Sequence, residues 1–187
     1  MCSFPVFSQN GFDSNIWGAE YDAIKKDLNA SGQNVQEAES EVFTYLIVTK
    51  RSGIQQYENS YVFLDNKLRS WDSKAILSVN ALESESERKN ATDEYFNLIE
   101  MLIKENNSNH GEPQIYTIDS ATEKLEVGRL KSNAEIINGE IKWRYEWVFK
   151  DKRTKIVLYS YGSTKGLHLD FDYSDVRLNS FLLNPSN

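Results

Sequence analysis

The sequence predicts an α+β protein built from two similar units, each a helix followed by an antiparallel sheet. One observation is a strand ending that occurs twice, at residues 61–67 and 147–153, with the pattern aromatic-Val-Phe-x-Asp-x-basic. A second is a pair of similar segments in predicted helices upstream of each copy, at residues 20–24 and 94–98, both beginning Glu-Tyr. Because the similar helical segment precedes the similar strand ending in both halves, we expect a pseudo-repeat. Two such sheets can join edge to edge, which hides two edge strands, with the helices packed on one face.

A third observation is an alternation of aromatic or aliphatic residues with charged ones over residues 141–150, broken only at Val148. This is the pattern of a strand with one buried face. Residues 154–161 and 167–173 are the next strands, separated by short polar turns. The three segments predict an antiparallel meander at the end of the second unit.

The first unit begins with a predicted helix. Asp13 and Ser14 are candidate N-caps, and apolar residues then recur at i, i+4, i+7 and i+11 from Trp17 to Leu28. Residues 29–32 end the helix, and a polar connection follows.

Three strands complete this unit, over residues 42–50, 57–64 and 68–77. The first is apolar on both alternating sets, which indicates an interior strand covered on both faces. Asp65, Asn66 and Lys67 form the last turn, since Asp and Asn tolerate left-handed backbone angles.

The second unit begins with a long helix over residues 84–107. Acidic residues at 83–87 suit the positive end of its dipole, and the Gly and Pro at 111 and 113 stop it. Residues 114–118 and 123–130 are predicted strands.

Size and composition indicate a folded protein of two units, residues 11–80 and 81–187, in one globule. The hydrophobic fraction of 40% supports a buried core. The net charge of −7 disfavours nucleic-acid binding, which needs a basic face. The sequence contains no run of about 18 apolar residues, so it predicts no membrane-spanning helix. The single cysteine, Cys2, excludes an internal disulfide and a cysteine-based zinc site.

The first ten residues are apolar and uncharged and resemble the end of a secretory signal peptide, with a cleavage zone near residues 6–8. Cleavage after Ser8 or Gln9 would remove Cys2. We therefore expect an exported protein, in the periplasm, the cell envelope or the medium. An ordinary N-terminal extension is the alternative interpretation.

Two groups of residues are candidate sites. His168, Asp170 and Asp172 share one face of a strand and carry ligands that suit a divalent metal, but residues two apart lie about 6.6 Å apart along a strand. A solvated strand face is the favoured interpretation of these three residues. Tyr159, Tyr161 and Trp71 are candidate binding residues, because tyrosine and tryptophan anchor protein and ligand surfaces. The Trp143 set is expected in the core.

No nucleophile elbow, P-loop, dinucleotide fingerprint or zinc-protease motif is present in the sequence. His110, at a helix end, is favoured as a capping or surface residue. The sequence therefore predicts neither an enzyme nor a cofactor.

The segment at residues 17–28 places a Gly before a short amphipathic helix. It resembles the corresponding segment of small exported proteins of the β-lactamase-inhibitor-protein and outer-membrane-assembly-lipoprotein (SmpA/OmlA-like) type. The repeated strand ending is similar too. The resemblance covers residues 16–77 and, less closely, 93–173. It implies a non-enzymatic protein that binds partners through its sheet.

Three functions follow in order of preference. The first is an exported, non-catalytic binding or scaffold protein with a protein partner. The second is a carrier of an apolar small molecule in a pocket between sheet and helix. The third is a metal-dependent hydrolase that uses His168, Asp170 and Asp172.

Overall fold

Nine antiparallel strands form one sheet in the computed structural model, which describes residues 16–128, 132–149 and 152–178. The strands are β1 (Val35–Glu39), β2 (Thr44–Ser52), β3 (Gln55–Leu64), β4 (Lys67–Leu77), β5 (Gln114–Asp119), β6 (Leu125–Val127), β7 (Ile141–Val148), β8 (Thr154–Ser163) and β9 (Gly166–Asp175). The helices are α1 (Tyr21–Ala30), α2 (Glu85–His110) and α3 (Asn133–Ile137), with a 3₁₀ turn at Val79–Ala81.

The strand order is β1-β2-β3-β4-β9-β8-β7-β5-β6. Each half of the chain therefore starts with a helix, continues at an outer strand and ends at the centre of the sheet. The two halves join where β4 pairs with β9, from Ser70 opposite Ser174 to Leu77 opposite Leu167. We call this ladder the seam. The predicted α+β class with a continuous antiparallel sheet is confirmed.

All three helices pack on the same face of the sheet. Tyr95, Ile99 and Leu102 of α2 belong to a core cluster with residues from strands of both halves. A smaller cluster places α1 over Leu46, Phe63 and Leu68 of the first half.

Helix α3 lies so close to β8 that a Cβ on Gly162 would come within 2.4 Å of the Ile136 carbonyl oxygen. Only a glycine allows this approach.

The alternation predicted for β7 is confirmed. Ile141, Trp143, Tyr145 and Trp147 are buried against the helices, and Val148 is exposed. Burial raises the pKa of Tyr145 to about 12. The aromatic stripe is therefore core, as the sequence predicted.

The first copy of the repeated strand ending forms a tight hairpin between β3 and β4. Asp65 and Asn66 have φ angles of 52° and 58°, as a type I′ turn requires. The second copy joins β7 and β8, with residues 150–151 outside the described residues. Counted from the seam, it lies one strand further out than the first copy. The two copies therefore occupy non-equivalent positions in the strand order.

The predicted start of α1 is wrong, because the helix begins at Tyr21. Gly18 has a φ of 89°, outside the helical region, and its N–H donates to the Leu68 carbonyl. Tyr21 N–H likewise donates to Asn66, so the β3–β4 hairpin holds this segment. Trp17 is buried and donates from Nε1 to Thr154 Oγ1 at 2.9 Å. Asp13 and Ser14 lie outside the described residues.

Two elements were not predicted. β1 is a polar edge strand whose apolar content is too low to show a pattern. α3 begins at a capping box in which the Ser132 N–H donates to the Glu135 carboxylate at 2.8 Å.

The predicted strand at 123–130 is shorter, Leu125–Val127. The acidic start of α2 is confirmed as a capping box of Ser84 and Glu87.

Candidate interaction surface

The face of the sheet opposite the helices carries no helix among the described residues, and we call it the helix-free face. Strand register aligns its side chains in rows that run across both halves. Three rows form its centre: Ser60, Asp72, Asp172, Val157 and Glu146; Glu58, Lys74, Asp170, Tyr159, Arg144 and Tyr116; and Gln56, Ile76, His168, Tyr161, Lys142 and Ile118.

An aspartate pair lies at the middle of this face. Asp72 of β4 is directly opposite Asp172 of β9, so the two carboxyl groups meet across the seam and hydrogen-bond to each other. Ser70 Oγ donates to Asp72 Oδ1 at 3.3 Å and to the Tyr173 carbonyl at 3.0 Å. Two carboxylates can share a hydrogen bond only if one of them holds a proton.

Burial is the main reason why this pair retains a proton. Burial, and then the charge of Asp172, raise the pKa of Asp72 to about 7. Burial also raises the pKa of Asp172. Since the two groups interact, the pair loses its protons in steps that belong to both carboxyls. One proton is therefore held well above the pH at which an isolated aspartate ionises.

The cations beside the pair are engaged by a different acid. Glu146 accepts from Arg144 Nη2 at 2.7 Å and pairs with Lys155 Nζ at 2.7 Å. All three side chains are partly buried. The charges of Lys155 and Arg144 still lower the pKa of Asp172, but by less than burial raises it.

Two tyrosines sandwich Arg144. Its guanidinium lies 5.3 Å from the ring centroid of Tyr116 and 5.8 Å from that of Tyr159. Lys142 lies similarly over the ring of Tyr161, at 5.3 Å. The three tyrosines are partly buried. A cation–π contact contributes about 0.5–1 kcal/mol at an exposed site and more where it is desolvated.

Tyr161 connects two of the residues that the sequence singled out. Its ring stacks on His168 at 4.5 Å, and its hydroxyl donates to Asp170 Oδ2 at 3.0 Å. His168 is 8% exposed and its Nε2 lies 2.7 Å from Ser163 Oγ. Burial, and then the charge of Lys165, lower the pKa of His168, so the imidazole is neutral at neutral pH.

Trp71 lies on the other face of the sheet. It stacks between Tyr61 and Tyr173, at centroid distances of 6.3 and 4.8 Å, on the side where the helices pack. The structure therefore brings Tyr159 and Tyr161 together with the aspartates and separates Trp71 from them.

The three candidate metal ligands have different partners. His168 is engaged by Ser163 and Tyr161, Asp170 by Tyr161, and Asp172 by Asp72. Within the described ranges, no group of three His, Cys, Asp or Glu residues could hold a metal ion.

A cavity beneath α2 has a volume of about 10 Å³. Its lining includes Gln55, Tyr57, Tyr95 and Leu169. A cavity of this size has room for about one water molecule. It is far smaller than the roughly 300–1,000 Å³ typical of ligand pockets.

Comparisons of this chain with protein-family models, with curated proteins and with solved structures give no match. No helix in the described part of the chain is both long and apolar enough to cross a membrane.

Proposed function

We propose that the protein is a non-catalytic binding protein that holds a protein partner against the helix-free face. The observation that carries this proposal is the set of tyrosines fixed by cations, Tyr116 and Tyr159 around Arg144 and Tyr161 beside Lys142, on a face without a described helix. Tyrosine and arginine are the residues that most often supply binding energy at protein interfaces.

The size of the face suits a protein partner. Six strands from β3 to β5 span about 24 Å at a strand spacing of about 4.8 Å. These strands have about nine residues on average, which gives a height of about 30 Å. The resulting area, about 700 Å², is close to the ~800 Å² that each partner buries in a standard interface.

The chemistry of the face also favours a protein over a small apolar ligand. Charged and aromatic side chains alternate on it, and the partly buried Ile76 and Ile118 lie among them. Interfaces between proteins have this mixed character. Because the cation–π contacts already orient the tyrosines, binding loses less side-chain entropy.

The two alternatives have less support. Carrying an apolar molecule needs an enclosed cavity, and the cavity beneath α2 is too small for one. A metal-dependent hydrolase needs a ligand cluster, which is absent among the described residues.

Site-specific photo-crosslinking tests the proposed function. A photoreactive phenylalanine analogue in place of Tyr159 is expected to crosslink a defined partner in an extract of the source cells. The matched control carries the same analogue at Asn97, an exposed position on α2, on the other side of the molecule. Arg144→Ala is expected to reduce the crosslink at position 159, since it removes the cation that lies between the rings at positions 116 and 159. Crosslinks of equal yield from both positions, or from Asn97 alone, would contradict the proposal.

We also propose that this binding takes place outside the cytoplasm, on the basis of the apolar segment at residues 1–10. Expression of the full reading frame in its source cell is expected to give a mature protein that begins at Gln9 or Asn10. N-terminal sequencing of the purified protein is the measurement. Recovery of the chain with Met1 still in place would rule out cleavage in this segment.

A further inference from the structure

The aspartate pair lies at the joint between the two halves of the molecule. In the sheet, the described residues of the two halves meet only at the seam, where β4 pairs with β9. Asp72 and Asp172 are an interior pair of that ladder, with two residue pairs on one side of them and five on the other. Any repulsion between them therefore acts directly on the joint.

We propose that Asp72 and Asp172 form a proton-dependent connection across the seam, closed by a proton that the two carboxyls share and weakened when that proton leaves. Directly opposed side chains on antiparallel strands have Cβ atoms about 4.5–5.5 Å apart. At that distance one neutral and one charged carboxyl attract each other through a hydrogen bond, whereas two carboxylates repel each other.

The charged and titratable groups around the pair come from every neighbouring strand. They are Glu58 on β3, Lys74 on β4, Asp170 on β9, Lys155 and Tyr159 on β8, and Arg144 and Glu146 on β7. Lys155 and Arg144 are both bound to Glu146, and Lys74 is exposed to water. Lys74 lowers the pKa of Asp72, and Lys155 and Arg144 lower that of Asp172, but burial outweighs these cations. The pair therefore keeps its proton because it is buried.

The direction of the pH effect follows from the raised pKa values. An aspartate in the unfolded chain ionises near pH 4, whereas burial and Asp172 raise the pKa of Asp72 in the folded protein to about 7. The folded state therefore binds a proton that the unfolded state has released. This contribution is fully present below about pH 4 and is lost as the pH rises through about 7.

Hydrogen exchange of the seam amides tests the connection. The equilibrium constant for opening of β4 and β9, corrected for the intrinsic pH dependence of exchange, is expected to rise about tenfold to a hundredfold from pH 5 to pH 8. Asp72→Asn is expected to reduce this rise, since an amide donates one hydrogen bond to Asp172 at every pH and only the burial of Asp172 still depends on protonation. The control Asp93→Asn removes an exposed carboxylate on α2 and is expected to retain the rise.

A second measurement does not depend on a substitution. In ¹³C NMR spectra of the unmodified protein, the side-chain carboxyl carbon of Asp72 is expected to show a titration step near pH 7. That of Asp172 is expected to titrate above the ordinary range of an aspartate. Titration of both carbons near pH 4 would overturn the proposal, and so would an unchanged pH response in Asp72→Asn. Should that variant fail to fold, Asp172→Asn and the NMR titration decide the question.

Discussion

Replacing Gly166 with alanine is expected to lower the free energy of unfolding by about 3 kcal/mol or more. Gly166 begins β9 with a φ of 134°, a backbone conformation that L side chains rarely adopt. A Cβ at this position would lie 2.2 Å from the Leu77 carbonyl oxygen and 2.9 Å from its carbon. Both atoms belong to the backbone, so the clash can be relieved only if the end of the seam moves.

Gly53→Ala is the control for this substitution. Gly53 also has a positive φ, 57°, but a Cβ there would meet nothing within 4 Å. Gly53→Ala is expected to lower the free energy of unfolding by about 1 kcal/mol, the cost of the backbone conformation alone. Urea unfolding of the two variants gives the comparison. Equal losses would show that the close approach of Gly166 to Leu77 contributes nothing.

Trp147→Ala is expected to destabilise the protein by about 3–5 kcal/mol. Trp147 is 2% exposed and stacks on Tyr145 at 6.1 Å. Its Nε1 donates to Asn107 Oδ1 on α2 at 3.0 Å, so the side chain connects the sheet to the long helix. The substitution removes the ring and leaves a cavity between the two layers.

The neighbouring residue is a matched control for this variant. Val148 points away from the helices and is 49% exposed. Val148→Ala is expected to change the stability by less than about 0.5 kcal/mol. Thermal or urea unfolding distinguishes the two results, and a loss of under about 1 kcal/mol for Trp147→Ala would contradict its role in the core.

Patterns of two-residue periodicity predicted the central strands well. β7 needs only its own alternation, since the buried face of a strand in a half-covered sheet selects every second residue. The β3–β4 hairpin was equally predictable, because Asp65-Asn66 supplies the left-handed angles of its turn.

The missed and misplaced elements depend on contacts outside their own segments. β1 is a strand because β2 offers it a hydrogen-bonding edge, and its polar residues carry no periodic signal. The apolar periodicity from Trp17 to Leu28 begins before α1 does, because Trp17 packs on the sheet from a turn that precedes the helix. Periodicity alone does not separate these two arrangements.

Only part of the candidate surface could be predicted from the sequence. The alternation of β8 and β9 places Tyr159 and Tyr161 opposite Asp170 and His168, which the sequence had singled out. The aspartate pair was not predicted, because Asp72 and Asp172 are distant in the chain. Their meeting depends on which strands form the seam and in what register.

The position of the seam also has a consequence for the order in which the protein folds. β1 to β4 form a meander of neighbouring segments, which can pair as soon as they leave the ribosome. β4, however, pairs next with β9, the last strand of the described chain, so its second edge stays unpaired during most of synthesis. An unpaired interior edge is open to association with other chains. The nascent protein is therefore most exposed to aggregation between the completion of its first half and the arrival of β9.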